Sequence, residues 1–314
     1  SAQMGVRMKI GGKKKFLIQL KRDYQLYLLL FPTLFYFFIY CYIPMAGIQI
    51  AFKEYTPEKG IWGSPWVGME QFARFFDSYQ FQIIIGNTLK ISLMNLLFGF
   101  PIPILLALLI NQLKYPKLKK LLQTATYVPH FISIPAVVGM LVIMLSPGGG
   151  MLYKAIDMVT GGNAGIPMGS AEGFSLIFVI SEIWQHAGWD AIIYIATLTS
   201  VNPDLYEAAE IDGAGKLQKI LYIDIPSIIP TAVILLIMNS GRIMSVGFEK
   251  VLLMQNPMNI TASEIISTYV YKIGLIGMEF SYSAAIGLFN SLINFFLIVV
   301  VNQIAKRGAN ISLF

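Results

Sequence analysis

Charge is scarce in this chain: only 13% of its 314 residues are Asp, Glu, Lys or Arg, about half the share of ordinary soluble domains. There is one cysteine, Cys41, so no intramolecular disulfide can form. No His-Glu-x-x-His, paired-cysteine or Gly-x-Ser-x-Gly pattern occurs, which argues against the common hydrolytic and metal chemistries. Disorder, collagen, coiled coil and a disulfide scaffold are excluded by composition. What is abundant is apolar surface, at 56% of residues. A net charge of +6 would suggest nucleic acid in a soluble protein. Here it is first tested as membrane-orienting charge.

Four windows carry no charge at all: 24–52, 91–113, 121–153 and 280–305. Each exceeds the roughly 20 residues a helix needs to cross about 30 Å of hydrocarbon. Two further apolar stretches are interrupted, 173–200 by Glu182 and Asp190 and 225–248 by Arg242. The expectation is an all-α membrane protein with six transmembrane helices, at about 24–50, 84–111, 122–146, 173–200, 226–248 and 281–305. A basic segment, 1–23, precedes the six-helix domain, 24–305, and a short tail, 306–314, follows it. The first apolar run is too long for a signal peptide and lacks a small-residue cleavage site, so it reads as a retained span.

Lys and Arg counts set the orientation. With a cytoplasmic N-terminus the inner segments hold Arg7, Lys9, Lys13, Lys14, Lys15, Lys21, Arg22, Lys114, Lys117, Lys119, Lys120, Lys216, Lys219, Lys306 and Arg307. The longer outer loops hold only Lys53, Lys59, Arg74, Lys154, Lys250 and Lys272. That bias puts both termini in the cytoplasm and accounts for the positive charge without nucleic acid. In the outer loops, Gly/Pro clusters at 146–150 and 161–163 mark turns, and Phe72, Phe75 and Phe76 have the spacing of a short aromatic helix. No internal repeat is evident, which disfavours an inverted-repeat carrier.

The segment 201–225 is the most informative. Asn202 is placed to N-cap a helix that starts at Pro203, with Asp204 in its first turn. Asp212-Gly213 ends that helix, and a second runs from about Ala214 to Pro226. Glu207, Ala208 and Ala209 would face out, offering one charge and a close approach to another protein.

The pattern Glu207-Ala208-Ala209, Asp212-Gly213-Ala214, Ile223 and Pro226 resembles the EAA loop of permease subunits in binding-protein-dependent ABC importers. Ile220 stands where that family often has an aromatic. The segments 62–68, 129–133, 246–250 and 285–289 resemble the maltose-type oligosaccharide class, in particular the branch used with polysaccharide breakdown products. The resemblance covers about residues 20–314 and implies a type I importer bundle in the bacterial plasma membrane. It also implies that Glu207, Ala208, Ala209, Asp212, Gly213 and Ala214 dock an ATPase subunit. The implied partners are a second homologous permease, two ATP-binding subunits, an extracellular solute-binding protein and an oligosaccharide, within membrane lipid. This chain would bind no cofactor, ATP and Mg being held by the ATPase. The stretch 213–217 fails as a phosphate loop, because a Walker A needs Gly where Glu210 stands and Ser or Thr where Leu217 stands.

Glu182, Trp184, His186, Trp189 and Asp190 cluster in the fourth span, with Glu182, His186 and Trp189 on one helix face. Asn239 and Arg242 add polar groups in the fifth, and Asn290 and Asn294 in the sixth. Ionisable groups at bilayer depth usually face a cavity or a partner helix, and aromatics beside hydrogen-bonding groups suit a sugar. A substrate path and interhelical hydrogen bonding both account for these residues; an Arg in the path would suit uronic acids. His130 reads as structural and His186 as the functional histidine. The rival class is a proton-coupled carrier using Glu182, His186 and Asp190 as a relay.

Overall fold

The computed structural model describes residues 22–313. Most of the expected basic N-terminal segment lies outside that range; within it, Arg22 pairs with Asp23 at 3.0 Å. Among the described residues there are helices and one isolated bridge, Lys53 to Trp66, but no strand. With so much apolar sequence, helices are the economical solution, because they satisfy every backbone donor and acceptor internally.

Helix α1 is Tyr24–Phe52, α2 is Tyr79–Asn111, α3 is Pro116–Phe131 and α4 is Ile134–Met144. Helix α5 is Ala171–Thr199 and α6 is Pro203–Ile211. Helix α7 is Lys216–Ser240, α8 is Phe248–Met254 and α9 is Phe280–Ala309. Four of them, α1, α2, α7 and α9, are long and apolar enough to cross a membrane, and α3 with α4 makes a fifth if the bent pair is one span. Helix α5 has 29 residues, about 43 Å of rise. Its polar middle sets it apart from the other four.

Four boundaries differ from expectation. The stretch 122–146 is not one straight helix, since α3 and α4 meet at 97°. The cause is local: Pro129 opens a 3-10 turn, Ser133 is extended, and Pro135 starts the next helix. Conversely, no break occurs at Pro226. A π-helical turn, Ile220–Asp224, links the second hairpin helix to the fifth span, so the missing proline donor is absorbed within a continuous α7. Helix α7 then stops at Ser240 rather than 248, leaving Arg242 in the turn that follows. The C-terminal basic pair Lys306 and Arg307 sits in the last turn of α9, not in a separate tail.

Four apolar clusters make up the core of the described residues, and three of them hold most of it. One joins Ile91 of α2, Val138 of α4, Phe174 and Phe178 of α5 and Val251 of α8. Another packs Ala107 and Leu108 of α2 on Ala191 and Tyr194 of α5 and Ile228 of α7. The third gathers Phe75, Ile84, Met244 and Ile286. The expected aromatic helix is present as Glu70–Phe76, with Phe72 and Phe75 buried and Phe76 exposed. By contrast, the first fourteen residues of α1 bury nothing, leaving a long apolar face for lipid or protein.

Candidate functional site

Of the α5 face expected from Glu182, His186 and Trp189, the first two line one cavity, and Asp190 joins them there. The cavity holds about 340 Å³ and is walled by α2, α5, the end of α7 and the turn after it. Glu182, His186 and Asp190 contribute from α5, and Asn239 and Arg242 from the far wall. Ser92 and Asn95 of α2, Tyr194 of α5 and Ser245 of the turn add to its polar lining. Successive turns of α5 bring residues four apart over one another, so one helix supplies all three ionisable groups. The opposing cation, Arg242, is presented by a turn rather than by a helix.

Four of the expected residues lie outside this lining. Trp184 is half exposed. Trp189 is stacked flat on His130, with centroids 4.4 Å apart and planes 2° from parallel, so one ring face is already occupied. Asn294 of α9 accepts a hydrogen bond from the Met244 amide and donates to Ser245 Oγ, both at 3.0 Å, and so holds the turn that carries Arg242. Asn290 Oδ1 is buried with no partner among the described residues.

The structure adds groups that sequence spacing did not reveal. Lys250 of α8 is 1% exposed and places Nζ 2.8 Å from Glu182 Oε1, with Gln185 Oε1 at 3.4 Å. It therefore belongs to the bundle interior and not to a solvated loop. A buried ammonium would be costly alone, and the carboxylate, the amide oxygen and the Phe178 ring at 5.7 Å compensate it. His130 is likewise part of the site's surroundings: its Nδ1 lies 3.0 Å from His186 Nδ1. One ring must donate there and the other accept. With Glu182 Oε2 3.7 Å from His186 Nε2, the consistent arrangement keeps the proton of His186 on Nε2 and makes His130 the donor.

Gly188 explains how His130 reaches α5. A Cβ at Gly188 would overlap the Thr126 carbonyl, so only glycine lets α3 approach α5 this closely. The signal in the sequence was a glycine between His186 and Trp189, but its partner could not be named without the fold.

The 201–225 hairpin forms as the cap chemistry predicts. Asn202 Oδ1 accepts from the Asp204 amide at 3.1 Å, and Gly213 adopts φ +76°, a left-handed value that stops α6. Glu207, Ala208, Asp212 and Gly213 are exposed, whereas Ala209 and Ala214 are half-buried. Ala209 is thus less exposed than Ala208, and its carbonyl accepts from the Ala214 amide at 2.8 Å, closing the hairpin. Glu207 has no salt-bridge partner among the described residues, while Glu210 pairs with Lys219 at 2.5 Å, a hydrogen bond that lowers the Glu210 pKa. Ile211 and Leu217 stand exposed at the tip, an apolar patch that was not anticipated. At the hairpin's base Tyr206 Oη donates to Asp224 Oδ1 at 2.5 Å. Its phenol pKa is pushed up to about 12, first by burial and then by that bond.

Apolar helices around a polar cavity, with a capped hairpin between two of the cavity's walls, define an integral membrane transport subunit. Comparison with known proteins agrees. A family described as "Binding-protein-dependent transport system inner membrane component" matches residues 99–309. The polygalacturonan/rhamnogalacturonan transport system permease protein YteP of Bacillus subtilis (strain 168) is 41% identical over 94% of this chain and 92% of its own. Protein LplB of the same organism is 40% identical over 97% and 95%. A chain in the crystal structure of a bacterial ABC transporter involved in the import of the acidic polysaccharide alginate superposes with a TM-score of 0.86. It is 39% identical and covers 94% of this chain and 99% of its own. The chain belongs to the binding-protein-dependent transport system inner membrane component family. It is thus a multi-pass ABC transporter permease subunit and not an enzyme. Membership in that family removes the basis for a proton-coupled carrier, and Glu182, engaged by Lys250, is poorly placed to relay protons.

Proposed function

We propose that this chain is one of two permease subunits in an ATP-driven importer of acidic oligosaccharides in the bacterial plasma membrane. The observation that carries this function is a shared pair of helices. Helices α5 and α7 wall the cavity, and the hairpin containing α6 joins those same two helices. A push on the hairpin is therefore a push on the cavity's walls. An ATPase subunit, holding ATP and Mg, docks on Glu207, Ala208, Asp212 and Gly213, with Ala209 and Ala214 shaping the turn beneath them. Exposed Ile211 and Leu217 extend the apolar part of that contact.

Six spans follow if α3 with α4 is one crossing and α5 is another, its polar middle turned to the cavity rather than to lipid. The Lys and Arg distribution sets both termini in the cytoplasm. A solute-binding protein delivers substrate at the opposite end; a similar alginate ABC transporter was solved in complex with an alginate pentasaccharide-bound periplasmic protein. The acidic class is supported by relatives named for pectic polymers and alginate. In this chain it is supported by Arg242 on the cavity wall, with Lys250 offsetting the charge of Glu182.

The test is uptake of a labelled oligouronate into proteoliposomes holding the whole complex and its binding protein. Uptake is expected to require ATP and to survive collapse of the proton gradient. Uptake driven by the gradient without ATP would sink the proposal.

A further inference from the structure

Asp224 is 0% exposed, and among the described residues no cation lies within salt-bridge distance of it. Its carboxylate is held by three neutral donors from two separate segments. Oδ1 accepts from Tyr206 Oη at 2.5 Å and from Asn111 Nδ2 at 3.5 Å. Oδ2 accepts from Gln112 Nε2 at 2.8 Å. Burying an unpaired carboxylate costs free energy that an apolar residue would not, and charge-assisted bonds are what offset it. Those bonds join three parts of the fold. Tyr206 belongs to α6, Asn111 and Gln112 end α2, and Asp224 closes the π-turn from which the apolar part of α7 departs. The other brace across the hairpin, Lys219 to Glu210, has Glu210 exposed and is worth little in water.

We propose that Asp224 is the positioning residue that clamps the ATPase-docking helix to the cavity-forming helices, so that displacement of α6 moves the ends of α2 and α7 with it. Without the clamp α6 is tied to α5 and α7 by short connections and the solvent-facing Lys219–Glu210 pair, and its displacement dissipates in the hairpin. The clamp rests on the docking role assigned above to α6, so its test includes a variant that probes docking alone.

The experiment uses the purified complex of this chain with its permease and ATPase partners in proteoliposomes, and reads oligouronate transported per ATP hydrolysed. D224A is expected to keep the ATPase subunits bound and to lower that ratio about tenfold, within the range found for residues that couple distant sites. D224N is expected to retain at least about half the ratio, because a flipped Gln112 amide can accept from the new amide and preserve the bridge. Y206F/D224A should be no worse than D224A, since Tyr206 acts through the same carboxylate.

An unchanged ratio in D224A, even with a lower unfolding temperature, overturns the clamp, and so does a D224N ratio as low as that of D224A. Should D224A not accumulate in the membrane, Y206F and Q112L each remove one arm. A lowered ratio in either supports the clamp, and unchanged ratios in both overturn it. E207K separates the underlying assumption. Release of the ATPase by E207K with full coupling in D224A defeats the clamp alone, whereas ATPase retention and normal transport in E207K defeat the docking role and the clamp with it.

Discussion

Lys250 Nζ lies 2.8 Å from Glu182 Oε1, a buried ion pair that fastens the short helix α8 to the middle of α5 beside the cavity. The two residues are 68 apart in the chain, and a buried Lys250 ammonium would be a costly isolated charge without Glu182. The pair also decides what the cavity presents. With Glu182 compensated, Arg242 and Asp190 are its remaining formal charges.

Removing one member should be far worse than removing both. K250M or E182Q is expected to destabilise the complex by about 3–5 kcal/mol, by stranding a buried charge. E182Q/K250M should recover most of that loss. Thermal unfolding of the detergent-solubilised complex measures the cycle; additive losses in the double variant would show that the pair is not coupled.

Gly188 should tolerate no side chain. G188A forces α3 away from α5, and overpacking of this kind typically costs about 1–3 kcal/mol. It should also part His130 from His186, so a cysteine pair placed at positions 130 and 186 should crosslink in the Gly188 background and not in G188A. Equal crosslinking in both would contradict the close-approach role.

Arg242 should discriminate by charge. R242Q is expected to lower uptake of an oligouronate about tenfold, the size of a lost charge-assisted hydrogen bond. Uptake of the methyl-esterified, neutral form should change much less. Equal losses for both substrates would reduce Arg242 to a structural part of the turn that Asn294 holds.

The exposed brace should be dispensable. E210Q breaks the charge pair at its exposed end and is expected to leave the unfolding temperature close to the wild-type value, as for surface ion pairs generally. Transport per ATP should stay at the wild-type value. A loss comparable to that of D224A would mean that the hairpin is held by its surface and not by the buried carboxylate.

Some of this was legible residue by residue. Asn202, Pro203 and Gly213 specify a capped helix and its stop through backbone chemistry that acts over three or four residues, and the hairpin has that form. Glu182 and His186 share a face because helical spacing is fixed, and both line the cavity, but Trp189, the third residue expected on that face, stacks on His130 and Asp190 lines the cavity instead. The bend between α3 and α4 was signalled by Pro129 and Pro135 but masked by the uninterrupted apolar run around them. Ala209 looked like its neighbour Ala208, yet it is half-buried, and its carbonyl accepts the bond that closes the hairpin.

By itself the sequence determined an all-helical membrane protein and where the first helix of the 201–225 hairpin starts and stops. These follow from hydropathy, period and capping, all of which are local sums along the chain. Only the tertiary structure decided that Lys250 compensates Glu182, that His130 covers Trp189, and that Asp224 unites α2, α6 and α7. Such pairings depend on how far each helix is rotated and how closely two backbones approach. A charge in a low-dielectric interior then takes whichever partner that packing brings within reach, however distant it is in the chain.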